Sequence, residues 1–211
     1  YFYDHRVVTI EAEARRSITL FLNCSETSGD VPAIVPDERR AGFDIVAHCF
    51  ARGRRRLAFL NLPGILAGSL REDGFRAAHA AHDIAPEEDW ILPATRGAHY
   101  NEYAGSLVRR HVDALMASAP RPDTILCGND RVALEVYGAL HANGIRIPDD
   151  VAVASFDNQI EIARRLDPPL STMALPYREI GRRAAEIVAG IGPAAEPLQK
   201  IPFRLINRAS V

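Results

Sequence analysis

The chain of 211 residues is 47% hydrophobic and 25% charged, an ordinary composition for a globular protein with a sizeable core. This length suffices for one large domain or for two small lobes. A formal net charge of −2 argues against a chain that binds a nucleic-acid backbone by itself, and no run of about 18 apolar residues is present to span a membrane.

The three cysteines, Cys24, Cys49 and Cys127, are widely spaced and lie in apolar sequence. Their odd number and their surroundings favour buried free thiols in a reducing compartment over a disulfide framework, so we expect a cytoplasmic protein. The first residues contain neither an initiator Met nor a signal peptide, and they begin within a predicted strand. We therefore expect further chain before Tyr1.

The first quarter of the chain predicts short strands followed by one long helix. Its predicted elements are a strand end at Tyr1–Tyr3, a polar connection with a short helix up to Arg16, a strand at Ile18–Leu22, a loop after Asn23, an extended piece at Ala33–Val35 and a helix from about Glu38 to Arg52. Pro36 and Asp37 are typical of a helix start, and Gly53 supplies a left-handed stop.

The middle of the chain alternates strands with helices. The predicted strands are Leu57–Asn61, Trp90–Leu92, Thr124–Cys127 and a strand that ends near Asp157, and the predicted helices are Leu70–His82, Tyr100–Ser118 and the amphipathic segment after Asn129. Four strands separated by three helices favour a parallel sheet with helices on both faces.

The last quarter predicts an extended crossing at Leu170–Met173, a helix at Tyr177–Ala189 with Ile180, Ala184, Ile187 and Val188 inward, and a final strand at Ile201–Ile206. Extended crossings near Val35 and near Thr172 bracket the four-strand block. This arrangement predicts a two-lobed α/β protein whose chain passes between the lobes more than once.

Three patterns that could indicate another activity have better structural explanations. Gly190–Ala195 fits a loose dinucleotide-binding pattern, but it follows a helix and contains a proline. His79 and His82 are three residues apart without a third ligand, which favours a solvated helix face over a metal site. The arginines at 52 and 54–56 follow a helix end, where cations satisfy the last carbonyls.

Polar side chains stand where predicted strands end or where the following helices begin. They are Asn23, Arg71, Tyr100, Asn129 and Asp157. Open α/β sheets bind ligands at this edge, and these side chains offer donors, acceptors and an aromatic face suited to a sugar or a base. The alternatives are structural: Asn129 could be a helix N-cap, Asp157 a turn residue and Arg71 a solvated helix residue.

At these residues the chain resembles the effector-binding domain of the lac/galactose repressor family, which has a periplasmic-binding-protein-like (type I) fold. The resemblance runs from about Leu20 to the end of the chain. It is carried by PDTILCGNDRVALEVYGALHANGIRIPDDVAVASFDN, by LDPPLSTMALPYREIGRRAAEIV, by the R-x-x-G-F of Arg71–Phe75, by GRRRLAFL at Gly53–Leu60 and by the closing LINRAS.

The resemblance implies that Arg71, Asn129 and Asp157 form hydrogen bonds to an effector, often a sugar. It places Tyr100 where relatives often have a stacking aromatic, and Asn23 where they commonly have a polar ligand contact. It also implies one lobe at residues 1–35 plus 174–197 and another at 36–173 plus 198–211.

Three residues depart from the family pattern, and the identity of the effector is open for that reason. Ser155 replaces a Gly, Asn158 replaces an Asp, and Leu175 stands where some sugar-binding relatives have Gln.

We therefore predict the ligand-sensing core of a homodimeric bacterial transcriptional regulator, with neither catalytic activity nor a cofactor or metal. DNA would be contacted only through a helix-turn-helix domain absent from this chain. One alternative is an exported sugar-binding protein of a transport system. A second is a sugar-modifying enzyme with Asp157 and Glu161 as an acid/base pair.

Overall fold

Residues 5–97 and 105–211 are described by the structure, a computed structural model of the chain. The predicted strand end at Tyr1–Tyr3 lies outside these ranges, and so does Tyr100. Within them, strands and helices alternate through most of the chain, which confirms the predicted α/β class. None of the helices in the described ranges is long and apolar enough to cross a membrane.

The elements are numbered in chain order. The strands are β1 (Arg6–Val8), β2 (Phe21–Leu22), β3 (Cys24–Glu26), β4 (Ala33–Pro36), β5 (Leu57–Asn61), β6 (Ile91–Pro93), β7 (Thr124–Cys127), β8 (Ala152–Asp157), β9 (Ser171–Ala174), β10 (Leu198–Ile201) and β11 (Arg204–Ile206). The helices are α1 (Ala12–Arg15), α2 (Glu38–Ala51), α3 (Leu66–Ala81), α4 (Val108–Ala117), α5 (Asp130–Ala142), α6 (Ile160–Ala163) and α7 (Tyr177–Val188).

The largest sheet has six strands in the order β11-β9-β8-β7-β5-β6, and among its pairs β11–β9 is antiparallel while the others are parallel. Helices cover both faces, as the alternation of strands and helices predicted. Strand β5 shows why: Leu57 and Phe59 pack with α2 and α3, whereas Ala58 and Leu60 pack with α4 and α5. A strand that is buried on both faces has a nearly continuous apolar sequence.

A smaller layer contains the three-stranded parallel sheet β10-β4-β2 and the parallel pair β1-β3. The predicted strand at Ile18–Leu22 is too long, because the amides of Ser17 and Ile18 bond back to the carbonyls of Ala14 and Arg15 at the end of α1. The loop predicted after Asn23 is also wrong, since it contains β3.

The end of the chain differs from the single predicted strand at Ile201–Ile206. Strand β10 pairs with β4 in the three-stranded sheet, whereas β11 pairs with β9 in the six-stranded sheet. Pro202 lies between them and has no N–H to continue a ladder. The chain thus passes between the two sheets after β4, after β9 and after β10. The residue boundaries of the two lobes remain a prediction.

Helix α4 begins later than predicted, at Val108. Residues 105–107 bond to the segment after β6 instead, because the Arg96 amide donates to the Gly105 carbonyl and the Leu107 amide donates to the Ala94 carbonyl. Helix α3 begins about one turn earlier than predicted, at Leu66.

Two side-chain predictions also fail. Val188, predicted to face inward from α7, is 68% exposed. His79 is buried where a solvated helix face was predicted; its ring lies 4.2 Å from that of Phe75 and 5.0 Å from that of Phe50.

The cysteine interpretation is confirmed, and the arginine interpretation is confirmed for Arg55, whereas Arg54 and Arg56 donate to the carbonyls of Pro148 and Arg121. Cys24, Cys49 and Cys127 are buried free thiols. Arg55 donates from Nη1 to the Phe50 carbonyl at 2.6 Å, in the last turn of α2, as expected of a cation at a helix end.

Candidate ligand-binding site

A cleft of about 340 Å³ opens at the carboxyl ends of the central strands of the six-stranded sheet. It brings together four of the five predicted site residues, namely Asn23, Arg71, Asn129 and Asp157. Strands β7 and β8 are parallel neighbours, so Asn129 after β7 and Asp157 at the end of β8 lie at the same edge. Tyr100 lies outside the described residues, and its predicted role remains a prediction.

Arg71, in the second turn of α3, is buried, and its guanidinium is held on three sides. Its Nε donates to Glu38 Oε2 at 2.7 Å, its Nη1 donates to the Gly128 carbonyl at 2.5 Å, and its Nη2 donates to Asp157 Oδ1 at 3.3 Å. The guanidinium carbon lies 4.5 Å from the centre of the Phe156 ring. The alternative of a solvated helix residue is therefore wrong.

Glu38 is a buried member of the site that the sequence did not reveal. It lies in the first turn of α2, where an acidic residue is an ordinary helix-start feature. It reaches Arg71 because α2 and α3 pack closely: a Cβ on Gly42 would lie 2.3 Å from the Arg71 carbonyl oxygen, and one on Gly74 would lie 2.1 Å from that of Arg39. Two glycines thus set the helix separation at which Glu38 and Arg71 meet.

Arg71 does not fully offset the effect of burial on the pKa of Glu38. Burial raises the pKa of Glu38 to about 6, and Arg71 acts against this shift by attraction and by its hydrogen bond. The nearby carboxylate of Asp157 adds to the rise. Two carboxylates share one guanidinium, so the cluster has one negative charge more than Arg71 can neutralise.

The end of β8 has an unusual backbone conformation. Asp157 has φ +100° and Asn158 has φ +53°, in the left-handed region that Asp and Asn tolerate better than most residues. Such strain persists only where the surroundings enforce it, and it is frequent at binding sites. Here Arg208 Nη2 donates to Asn158 Oδ1 at 2.7 Å, and the Asn158 amide donates to Thr172 Oγ1 at 3.3 Å.

Asp130 supports this turn from behind the cleft wall. Its Oδ2 accepts from the Gln159 amide at 2.6 Å, and its Oδ1 accepts from Thr172 Oγ1 at 2.8 Å. Burial and, next, the charge of Asp157 raise the pKa of Asp130 to about 7. An acid directly after an N-cap residue is ordinary at a helix start, and the sequence carried no sign of these contacts.

Asn129 is the N-cap of α5, as its structural alternative stated. Its Oδ1 accepts from the Val132 amide at 3.0 Å, with the backbone of Asn129 extended. It also lines the cleft, and within the described residues no hydrogen bond involves its Nδ2. Capping therefore leaves the amide donor for a ligand, and the two alternatives are compatible.

The opposite side of the cleft contains Asn23, buried directly after β2 with φ +58°, and Tyr177 at the start of α7, which is 41% exposed. Tyr177 is an aromatic lining residue that the sequence did not single out. Arg131 and Glu161 also line the cleft. The described residues contain no group of three His, Cys, Asp or Glu side chains that could hold a metal ion.

With this geometry in place, comparison with known proteins identifies the chain. Residues 46–211 match the family described as periplasmic binding protein-like domain, and the chain belongs to it. Its relatives are LacI-family repressors, which confirms the resemblance read from the sequence.

Three relatives show the extent of the match. The chain is 34% identical over 208 residues to the sucrose operon repressor of Shigella flexneri, covering 97% of this chain and 61% of that repressor. It is 33% identical over 156 residues to the transcriptional repressor PurR of a Vibrio cholerae strain, covering 74% of this chain and 44% of PurR. The structure of a protein from Rhizobium etli assigned to the LacI family of transcriptional regulators superposes with a TM-score of 0.84 at 27% identity, over 98% of this chain and 75% of that one.

Proposed function

We propose that this chain is the effector-sensing part of a bacterial transcriptional regulator, and that its cleft binds a small sugar or a related metabolite. The observation that carries the proposal is the cluster of polar side chains around Arg71, held at the carboxyl ends of β7 and β8. Relatives named as a sucrose operon repressor and a ribose operon repressor support sensing of a small metabolite. The chain spans 61% of the length of the sucrose operon repressors it matches.

In this proposal the ligand is held from both sides of the cleft. Asn129 Nδ2 and the carboxylate of Asp157 bind hydroxyl groups from one side, with Arg71 holding Asp157 in place. Asn23 and Tyr177 approach from the other side. A ligand that contacts both sides binds the closed arrangement better than the open one, and it shifts the equilibrium by that difference in affinity.

The remaining parts of the proposal concern the whole regulator. It acts in the cytoplasm as a homodimer, and ligand binding changes DNA binding by a helix-turn-helix domain outside this chain. Buried free thiols at Cys24, Cys49 and Cys127 support a reducing compartment. The matched relatives are named as repressors, which favours this reading over an exported sugar-binding protein or an enzyme.

Thermal-shift screening of the full-length regulator against sugars and nucleosides tests the proposal. A true ligand at about 100 times its dissociation constant should add about 2.7 kcal/mol to the free energy of unfolding. Asp157→Asn should weaken that shift, because it removes a charged acceptor from the cleft. Asp113→Asn, at an exposed position paired with Arg109, should leave it unchanged. Absence of any stabilising compound would contradict the proposal.

A further inference from the structure

The charged side chains that line the cleft are unevenly balanced. The described lining residues include three carboxylates, on Glu38, Asp157 and Glu161, and two guanidinium groups, on Arg71 and Arg131. Asp130 lies directly behind the wall, bonded to the amide of Gln159. With all carboxylates ionised, the site is therefore negative before any ligand enters.

Arg71 is poorly placed to act as a clamp for an anionic ligand, because three of its five N–H donors already bond to protein acceptors. A guanidinium binds a phosphate or carboxylate group through two parallel N–H donors. In Arg71 the donors on Nε, Nη1 and Nη2 are directed at Glu38, the Gly128 carbonyl and Asp157. An anion that bonded to Nε would have to displace Glu38, and the displaced carboxylate would remain buried without its partner.

The environment of the carboxylates points in the same direction. Burial and the neighbouring Asp157 raise the pKa of both Glu38 and Asp130. The ionised forms of these two carboxylates are therefore destabilised in the site. A second charge of the same sign in this wall would increase the repulsion. Uncharged hydroxyl groups, by contrast, donate well to carboxylate oxygens.

Of the two lining guanidinium groups, Arg131 is the one without a carboxylate partner among the described residues, and it favours an anion. It is half-buried in the first turn of α5, and within the described ranges it has no ion pair. Glu161 lines the same cleft, and Asp130 directly precedes Arg131 in the sequence. The guanidinium of Arg131 is therefore near more than one carboxylate. The carboxylates in and behind the cleft wall outnumber the guanidinium groups, so the net charge of the wall disfavours an anionic ligand.

We propose that the cleft selects an uncharged polyhydroxylated ligand and rejects the phosphorylated form of the same compound. The inference rests on the proposed function and narrows it to one class of ligand. The carboxylates of Asp157 and Glu161 accept hydroxyl hydrogen bonds, and Asn129 Nδ2 donates one. The excess of carboxylates in the wall repels a phosphate group wherever it is attached.

Isothermal titration of the full-length regulator with matched pairs tests this proposal. The pairs are glucose and glucose 6-phosphate, fructose and fructose 6-phosphate, ribose and ribose 5-phosphate, and sucrose and sucrose 6-phosphate. The best-bound compound should be unphosphorylated. Its affinity should exceed that of its phosphate ester about tenfold or more, since an interaction that shifts a pKa by one unit changes an equilibrium constant by that factor. A phosphate ester that binds as well as or better than its parent overturns the inference and leaves the proposed function standing.

Removing a carboxylate from the cleft should reduce the preference for the unphosphorylated compound over its phosphate ester. Glu161→Gln, at an exposed position, should reduce the affinity ratio of parent to phosphate ester several-fold, and Glu38→Gln should act in the same direction. Glu88→Gln removes an arginine-paired carboxylate outside the cleft and should leave the preference unchanged. Equal effects of all three variants would overturn the inference. Failure of every compound to bind would instead remove the proposed function, and the inference with it.

Discussion

Helix α3 carries two arginines, Arg71 and Arg76, each of which bridges two carboxylates in a different environment. The Arg71 side chain is 4% exposed and pairs with Glu38 and Asp157, which are 2% and 15% exposed. The Arg76 side chain is 40% exposed and pairs with Glu72 and Glu88, which are 30% and 65% exposed. The two sites have the same charges and similar distances, and they differ in access to water.

The two sites shift carboxylate pKa values in opposite directions. The hydrogen bond from Arg76 lowers the pKa of Glu88, because water solvates both partners and burial adds little. At the Arg71 site burial outweighs the arginine and raises the pKa of Glu38 to about 6. An arginine close to two carboxylates therefore does not by itself define a stabilising pair; the cost of removing the charges from water decides the sign.

Arg71→Gln should produce the largest effect on stability. It leaves Glu38, Asp157 and the Gly128 carbonyl without their charged donor in a buried site, which should cost about 3 kcal/mol of unfolding free energy. Urea denaturation measures the change. Arg76→Gln is the matched control on the same helix, and it should cost about 1 kcal/mol or less. Similar losses for both variants would show that burial does not separate the two sites.

The pH dependence of stability should separate Glu38 from Glu88. Because the pKa of Glu38 rises from an ordinary value of 4.5 to about 6 on folding, the folded state binds its proton more tightly than the unfolded state. The contribution of Glu38 is therefore fully present below pH 4.5 and is lost as the pH rises to about 6, a change of about 2 kcal/mol.

Glu38→Gln should remove this pH dependence, since Gln keeps an acceptor for Arg71 Nε and Asp157 still neutralises the guanidinium. Unfolding free energies of the wild type and the variant, measured across this pH range, give the comparison. Glu88→Gln should show a pH difference of the opposite sign at lower pH. A constant difference between the wild type and Glu38→Gln would contradict the assigned pKa.

The central part of the fold could be predicted from the sequence, because strands such as β5, β7 and β8 are buried on both faces and appear as apolar runs between helices. The smaller layer could not. Its strands have two to four residues, and β10 pairs with β4 although more than 160 residues separate them in the chain. Nothing local in either segment indicates that partner.

The site shows the same division. Asn129 and Asp157 stand at strand ends that sequence patterns locate, and neighbouring parallel strands bring such ends together. Glu38 and Asp130 are also acids at helix starts, where an acid is ordinary. The role of Glu38 depends on burial and on the close approach of α2 and α3 at Gly42 and Gly74, and that of Asp130 depends on burial and on its contacts with Gln159 and Thr172; tertiary packing determines both.

Helix caps extend the comparison between buried and exposed positions, and they carry the smallest predicted effect. Asn129 caps α5 in a buried position, whereas Asp37 caps α2 near the surface through the Arg40 amide at 3.2 Å.

Asn129→Ala should cost about 1 kcal/mol of unfolding free energy. Asn129→Ser should retain most of that stability, since a serine hydroxyl also accepts from the Val132 amide, but both variants lack the Nδ2 donor. Equal losses of affinity with unequal losses of stability would therefore separate ligand binding from capping at this one residue, while an unaltered affinity in both would remove Asn129 from the binding site.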